Sequence, residues 1–229
     1  SSSRVNINRL SIIHPGQRLM VDGVVSASSD DALNITLDNF DISPLTALVS
    51  RWGYEIEGRS NGSAVIKSVL KHPEIEADID IDSLRVNGLL APPQCITSKW
   101  DFASNRARVY ISDRITGDTT IRGYYQPANM RYLATAKIDR LKAELLQPFL
   151  RGVVSDIEGT ADVDVRIEGM GRMAKLNGGA KVRDIGATVD FTQTRYTSSY
   201  GELSVKDNHI YADSIKLKDN EGHNAYYSM

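Results

Sequence analysis

The chain has 229 residues, and its 27 basic and 29 acidic residues give a formal net charge of −2. This near-balance gives no support to nucleic-acid binding or to electrostatic attachment to a membrane. The single cysteine, Cys95, cannot form an internal disulfide, and no apolar run is long enough to be a membrane span. Because the chain opens on Ser1 without a signal-peptide pattern, we expect a fragment of a longer polypeptide.

The first thirty residues predict short strands. Apolar residues alternate with asparagine from Val5 onward, which is the period of a strand with one buried face. The Pro-Gly pair at 15–16 predicts a turn. A second strand follows, and its Asp22-Gly23 pair is typical of a hairpin turn, so a break in the strand is predicted there.

The stretch from Leu33 to Gly88 has four parts, of which LNITLDNF is the first strand. SPLTALVSRW then changes to helical spacing behind Ser43 and Pro44, which predicts a short helix near residues 43–51. Glycines at 58 and 62 mark the return to strands. The strand EIEADIDIDSL then places four apolar side chains on one face: Ile75, Ala77, Ile79 and Ile81.

The same order recurs about a hundred residues later, in LATAKIDRL, AELLQPFLRGVV and IEGTADVDVRIEG. A second short helix is predicted near residues 143–151, with Pro148 interrupting it. Both copies contain the tripeptide I-E-G, at 56–58 and 157–159. We therefore predict repeat-like units at about 33–88 and 132–191 within a single β-rich chain, residues 1–229.

Further strand-like segments follow at intervals of about ten residues, separated by Gly, Asn and Asp turns. Two of them flank a tight turn predicted at Ser104-Asn105. No regular alternation of strands with long helices occurs, which excludes a doubly wound parallel sheet. The predicted fold class is all-β, with antiparallel pairing and two short helices.

The residues that could carry chemistry are dispersed. The run Asp78–Asp82 is not a calcium loop, because Ser83 stands where such a loop needs glycine and the closing glutamate is missing. Asp162 and Asp164 alternate with valine on a strand in the same way. The four histidines lack metal-ligand spacing, and no nucleophile elbow occurs. The sequence predicts no catalytic residue, no metal site, no cofactor and no enzymatic activity.

The most informative feature of the sequence is that its strands have one apolar face and one polar face. Burial of each large apolar side chain is worth roughly 1.5–3 kcal/mol, so a row of three or four per strand needs a cover. That cover is a second sheet, the curl of the same sheet, or an apolar ligand. The candidate residues for an apolar groove are Ile35, Leu37, Ile75, Ile79, Ile81, Val163, Val165, Ile167, Val189 and Phe191.

The repeat resembles that of the TamB-like branch of the AsmA-like envelope proteins. Repeats of that family carry a short helix with spaced leucines, a strand with two glycines, and an alternating strand led by proline. The first copy fits this pattern at Leu45, Leu48, Gly58, Gly62, Pro73, Ile75, Ile79 and Ile81. The second copy fits at Leu145, Leu146, Gly159, Val163, Val165, Ile167 and Leu176, but has Gly171 and Arg172 where proline is expected.

The resemblance implies an elongated, curled, taco-like antiparallel sheet with an apolar groove. It also implies a periplasmic location in a Gram-negative bacterium, an inner-membrane anchor elsewhere in the full chain, and an outer-membrane β-barrel partner. Two functions are attached to the family. One is bridge-like phospholipid transport between the inner and outer membranes, and the other is assembly or secretion of outer-membrane proteins.

Three functions therefore stay open on the sequence. A groove would hold phospholipid acyl chains on its apolar floor. An assembly scaffold would pair its exposed sheet edges with a client strand. A structural β-sandwich of a surface protein would bury the same rows in a closed core. We predict the first, with phospholipid acyl chains as the partner and no nucleic acid.

Overall fold

The computed structural model describes residues 3–50, 53–213, 215–219 and 224–227, and this part of the chain is all-β with antiparallel strand pairing. The chain divides into two compact units. The first comprises Ser1–Ala134 with Met170–Arg172, and the second comprises Thr135–Gly169 with Met173–Met229.

The strands of the first unit follow one another in the sheet in chain order. Their order is β1-β2-β3-β4-β5-β7-β8-β9, and β6 pairs only with the end of β5. The predicted turn between β7 and β8 is confirmed, with Asn105 in the left-handed region. The strands are β1 (Val5–His14), β2 (Gln17–Val25), β3 (Ala32–Asp41), β4 (Ile56–Lys67), β5 (Glu74–Val86), β6 (Leu89–Leu90), β7 (Gln94–Asp101), β8 (Arg106–Asp113), β9 (Thr119–Gln126) and β10 (Arg131–Lys142), the last of which continues into the second unit.

The second unit is built on two long strands and their neighbours. Within it the order is β11-β12-β13-β15-β16, and β13 pairs with β14 over its second half and with β15 near its start. Residues 178–189 of β12 pair with residues 194–205 of β13. The strands are β11 (Val154–Met170), β12 (Met173–Val189), β13 (Thr194–Lys206), β14 (His209–Asp213), β15 (Ile215–Asp219) and β16 (Asn224–Tyr227).

Helical structure occurs at both predicted places, but neither segment is a regular helix of two to three turns. The first is a 3-10 turn, Ser43–Leu45, followed by a single α-helical turn, α1 (Thr46–Val49). The hydroxyl of Thr46 fixes it to β4, since it accepts the N–H of Ile56 and donates to the Ile56 carbonyl. The second is a 3-10 segment, Ala143–Phe149, that contains Pro148. No helix in the described part of the chain is long and apolar enough to cross a membrane.

The predicted break at Asp22-Gly23 is wrong, because both residues lie inside β2. The pair instead accommodates a bulge on β1, where Arg9 has a φ of 51°. The Asp22 carboxylate accepts the backbone N–H of Arg9 at 3.1 Å. Gly23 has a φ of 124°, and a side chain there would overlap the backbone of Ala32. An Asp-Gly pair therefore serves the bulge of the neighbouring strand as well as it serves a hairpin turn.

The same local geometry recurs in the two repeat-like stretches at a constant spacing of 101 residues. Left-handed bulge residues lie at Asn39 and Arg140. Their backbone N–H groups donate to Asn61 and to Asp162, at 2.8 Å and 2.9 Å. A second pair of bulges lies opposite the glycines of the two I-E-G tripeptides, at Ser83 and at Asp184. The predicted repeats, at about 33–88 and 132–191, are consistent with this recurrence.

The close approach of strands at Gly62 gives a testable prediction. A Cβ at this position would overlap the Asp78 carbonyl oxygen and lie 2.9 Å from the Ile79 Cα, at a φ of 136°. We expect Gly62→Ala to lower the free energy of unfolding by roughly 3–4 kcal/mol in a urea titration. Gly88→Ala is the control, because Gly88 has a φ of 77° but nothing within 4 Å of its added Cβ. It should lose roughly 1 kcal/mol from backbone strain alone, and equal losses would contradict the explanation by strand contact.

Candidate functional site: an apolar sheet face

The register of the first unit aligns apolar side chains into rows that run across eight strands. Because alternate residues of a strand point to one face, each row belongs to a single face of the sheet. The first row is Ile12, Leu19, Leu37, Gly62, Ile79, Ile96, Ile111 and Ile121. The second row is Leu10, Val21, Ile35, Ala64, Ala77, Ser98, Val109 and Gly123.

Two shorter rows extend this face toward the strand ends. Ile75 pairs with Ile66, which pairs with Leu33. At the other end, Ile81 pairs with Ser60, which pairs with Phe40. The structure thus brings together the five predicted groove residues of the first unit: Ile35, Leu37, Ile75, Ile79 and Ile81.

Most of this apolar face is only half-buried. From β2 to β9 every apolar side chain of the first and second rows is of intermediate exposure. At the edge strand β1, Leu10 and Ile12 are 54% and 56% exposed. Among the described residues of this unit, the buried apolar side chains are Ile42, Ile81 and Ala107. A face packed closely against a second sheet would be buried along its length, and the intermediate exposure of these rows differs from that.

The second row contains one polar side chain, and its hydroxyl is hydrogen-bonded within the sheet. Ser98 is 7% exposed, and its hydroxyl donates to the carbonyl oxygen of Ile75 at 3.1 Å. A buried hydroxyl with a partner carries little desolvation cost. The second row therefore presents no unpaired hydroxyl group from β1 to β9.

Charged residues lie on the opposite face of the same strands. One outer row consists of Thr36, Ser63, Asp78, Thr97, Tyr110 and Arg122. Arg114 contacts Asp80 at 3.6 Å and Asp82 at 2.8 Å, so this acidic run is held by an arginine. Burial, followed by the neighbouring Asp80 and Asp78 carboxylates, raises the pKa of the Cys95 thiol. The described residues contain no group of side chains that could hold a metal ion.

In the second unit the corresponding face is closed locally. Val163 is 8% exposed and packs with Ala161 and Val182. Leu146, from the 3-10 segment, packs against this cluster, as do Leu141, Val165, Ala180, Ile185 and Leu203. Val163, a predicted groove residue, is therefore part of a packed core.

The other predicted groove residues of the second unit differ in exposure and in position. Val165 and Val189 are half-buried, and Ile167 is 38% exposed near the end of β11. Phe191 does not lie on the apolar face. It follows the end of β12, in the turn before β13, and is 96% exposed.

Several residues of the apolar face are not among the predicted groove residues. They lie on β2, β7, β8 and β9, outside the two repeat-like stretches. The signal is present in the sequence of β8, because Ala107, Val109 and Ile111 alternate with polar residues there. The missed residues are Leu19, Val21, Ile96, Val109, Ile111 and Ile121.

A cleft of about 440 Å³ lies at one end of the strands of the first unit. Its lining comes from the loops after β2, β4, β7 and β9, together with residues at the ends of β5 and β7. The loop after β2 is tied to the loop after β4, since the Ser68 hydroxyl donates to Ala27 and the Leu70 N–H donates to Ser26. The lining residues are Ala27, Ser29, Ser68, Lys71, His72, Glu74, Trp100, Asn105, Pro127 and Ala128.

The Asp162 carboxylate gives a pH-dependent prediction. The backbone N–H of Arg140 and then the Arg183 guanidinium, 2.5 Å away, lower the pKa of this carboxylate. A lowered folded-state pKa stabilises the protein above the unfolded value of about 3.9, and this contribution is lost as the pH falls through the folded-state value. We expect Asp162→Asn to be less stable than wild type in urea at pH 7, with the difference shrinking below about pH 4.

Asp164→Asn is the control for this measurement, because no ion pair of Asp164 occurs in the described part of the chain. It should change stability little at either pH. A loss in Asp162→Asn that stays the same from pH 7 to pH 3 would contradict the assignment.

No family model, no curated protein and no solved structure matches this chain. The resemblance described above therefore stands on the motif residues of the sequence, and the site stands on the geometry of the sheet.

Proposed function

We propose that this chain binds phospholipid acyl chains along the open apolar face of its first unit. The observation that carries the proposal is the continuity of the two apolar rows across eight strands, half-buried along most of their length. An apolar surface of this extent is usually a binding surface in a soluble protein. Acyl chains fit it because the rows offer neither a charge nor an unpaired hydrogen-bonding group.

A curl of the sheet supports the proposal, because it would turn this face into a groove. The loop after β2 and the loop after β9 both line the 440 Å³ cleft. Six strands lie between these loops in the strand order, so a flat sheet would separate them by roughly 25–30 Å. We infer that the first unit curls toward its apolar face, which gives the taco-like section implied by the family resemblance.

Such a groove would work through many weak and similar contacts. Each buried methylene contributes roughly 0.8 kcal/mol, so a chain that covers several rows is held without a polar anchor. Moving by one strand exchanges one set of isoleucine, leucine and valine contacts for another of similar energy. The barrier to sliding is therefore low, which suits transport better than storage.

The cellular role that we propose is the one implied by the resemblance to TamB-like proteins. In this account the chain is a periplasmic segment of a TamB-like envelope protein in a Gram-negative bacterium, anchored to the inner membrane by another part of the polypeptide. It would form part of a bridge for phospholipid between the two membranes. An outer-membrane β-barrel protein would be the partner of the full chain.

One observation favours the second candidate, a scaffold for outer-membrane protein assembly. Strand β1 ends the strand order of the first unit and pairs only with β2 among the described strands. Its Leu10 and Ile12 are more than half exposed, so an added strand would continue both apolar rows. Strand addition at a free edge is a common mode of peptide recognition. The bulge at Arg9 limits such pairing to the segment after it.

The test places one charge on the apolar face. Ile96→Asp puts a carboxylate in the middle of the first row, and desolvating it costs several kcal/mol. Lys99→Asp is the matched control, because Lys99 lies exposed on the polar face of the same strand and pairs with Arg108. We expect native mass spectrometry to find co-purified phospholipid on wild type and Lys99→Asp, and at least about tenfold less on Ile96→Asp.

Circular dichroism establishes that both variants fold. A folded Ile96→Asp protein that carries as much lipid as wild type would contradict the groove. A wild-type protein without lipid, together with an Ile96→Asp variant that unfolds, would indicate the closed β-sandwich instead.

A further inference from the structure

We propose that the cleft at the strand ends of the first unit binds the head group of a zwitterionic phospholipid of the phosphoethanolamine class. This inference rests on the proposed function, since it gives the lipid held on the apolar face a site for its polar end. The cleft measures about 440 Å³, within the range of small-molecule sites.

The cleft adjoins the apolar face through Trp100. Trp100 lies two residues after Ser98 on β7, so both side chains point to the same face. It pairs with Ala107, which is 3% exposed. An indole ring has an apolar body and one N–H donor, which suits the junction between acyl chains and a polar head group. Lipid on the second row would therefore meet Trp100 where its polar end begins.

The charges around the cleft match a zwitterion. Lys71 and His72 supply N–H donors for phosphate oxygens, and Glu74 supplies a carboxylate for an ammonium group. In the described part of the chain, none of these three side chains has an ion pair or a side-chain hydrogen bond. The nearby Asp101 differs, because it pairs with Arg108 at 2.6 Å. The cleft thus holds side chains of both signs of charge, and a purely anionic head group would be opposed by Glu74.

Hydrogen bonding between the loops fixes the backbone that carries Lys71 and His72. The Lys71 N–H donates to the Ser68 carbonyl oxygen at 3.0 Å, and the Ser68 N–H donates to Ser28 at 3.1 Å. Ser68 is itself 8% exposed. The loop that carries Lys71 and His72 is therefore fixed to the loop after β2, which reduces the ordering cost of binding.

The test uses short-chain, water-soluble lipids with two head groups. Trp52→Phe leaves Trp100 as the single tryptophan of the chain, and its fluorescence reports binding. The probes are dihexanoyl phosphatidylethanolamine and dihexanoyl phosphatidylglycerol. We expect the first to bind more tightly to the Trp52→Phe protein. Lys71→Gln should weaken both roughly tenfold through loss of a charge-assisted hydrogen bond to phosphate, and Glu74→Gln should abolish the preference between them.

Lys99→Gln and Glu76→Gln are the matched controls, because both residues are exposed and neither lines the cleft. They should bind both lipids as the parent protein does. A photo-crosslinker at Ile79, in the first row, reports lipid on the apolar face independently of the cleft.

The two proposals fail in different ways. Crosslinking at Ile79, together with unchanged affinities in Lys71→Gln and an unchanged head-group preference in Glu74→Gln, would overturn the head-group site and leave the groove standing. No crosslinking at Ile79 and no change in Trp100 fluorescence with either lipid would overturn both. Binding of phosphatidylglycerol as tight as that of phosphatidylethanolamine would overturn the zwitterion assignment.

Discussion

Strand register is the constraint on which this structure depends. A slip of one residue would turn every side chain of a strand to the other face, and the apolar rows would be broken. Register shifts add a residue at four places among the described strand pairs of the first unit, and the apolar pattern of the sequence shifts with them. Ile7 and Leu10 are three residues apart, yet their partners Gly23 and Val21 are two apart, so both stay on the apolar face.

The bulges are fixed by side chains on the neighbouring strands. Asn61 and Asp162 accept the N–H of a left-handed residue in the two repeat-like stretches, and Asp22 does so on β2. A bulge increases the local twist of a sheet, so its recurrence at a set spacing gives a regular source of curvature. The curl proposed for the first unit is consistent with this source.

The two repeat-like stretches share local backbone geometry but differ in the side chains at equivalent positions. Gly62 of the first corresponds to Val163 of the second, and Leu45 corresponds to Leu146. Val163 fills the face and packs with Leu146, whereas Leu45 is 45% exposed. The 3-10 segment of the second stretch therefore covers this face through Leu146, whereas Leu45 of the first stretch is largely exposed. This contrast supports placing the proposed lipid contact in the first unit.

The sequence predicted what depends on local periodicity and missed what depends on neighbouring strands. The alternation of β3 and β5 placed Ile35, Leu37, Ile79 and Ile81 on one face. The pair Asp22-Gly23 predicts a hairpin turn from sequence because a glycine of positive φ suits both a turn and a bulge site, and the deciding bulge is on another strand. The cleft could not be predicted, since its loops are distant in the strand order. Phe191, a predicted groove residue, lies in the turn after β12, which ends two residues earlier.

The most direct test of the central claim is a photo-crosslinking scan along β7 in living cells, with the crosslinking residue placed at each position from Cys95 to Trp100 in turn. The account predicts phospholipid adducts at alternate positions, Ile96, Ser98 and Trp100, and none at Cys95, Thr97 and Lys99, because only the first three lie on the apolar face. Adducts at all six positions, or at none, would contradict the claim that this face binds lipid.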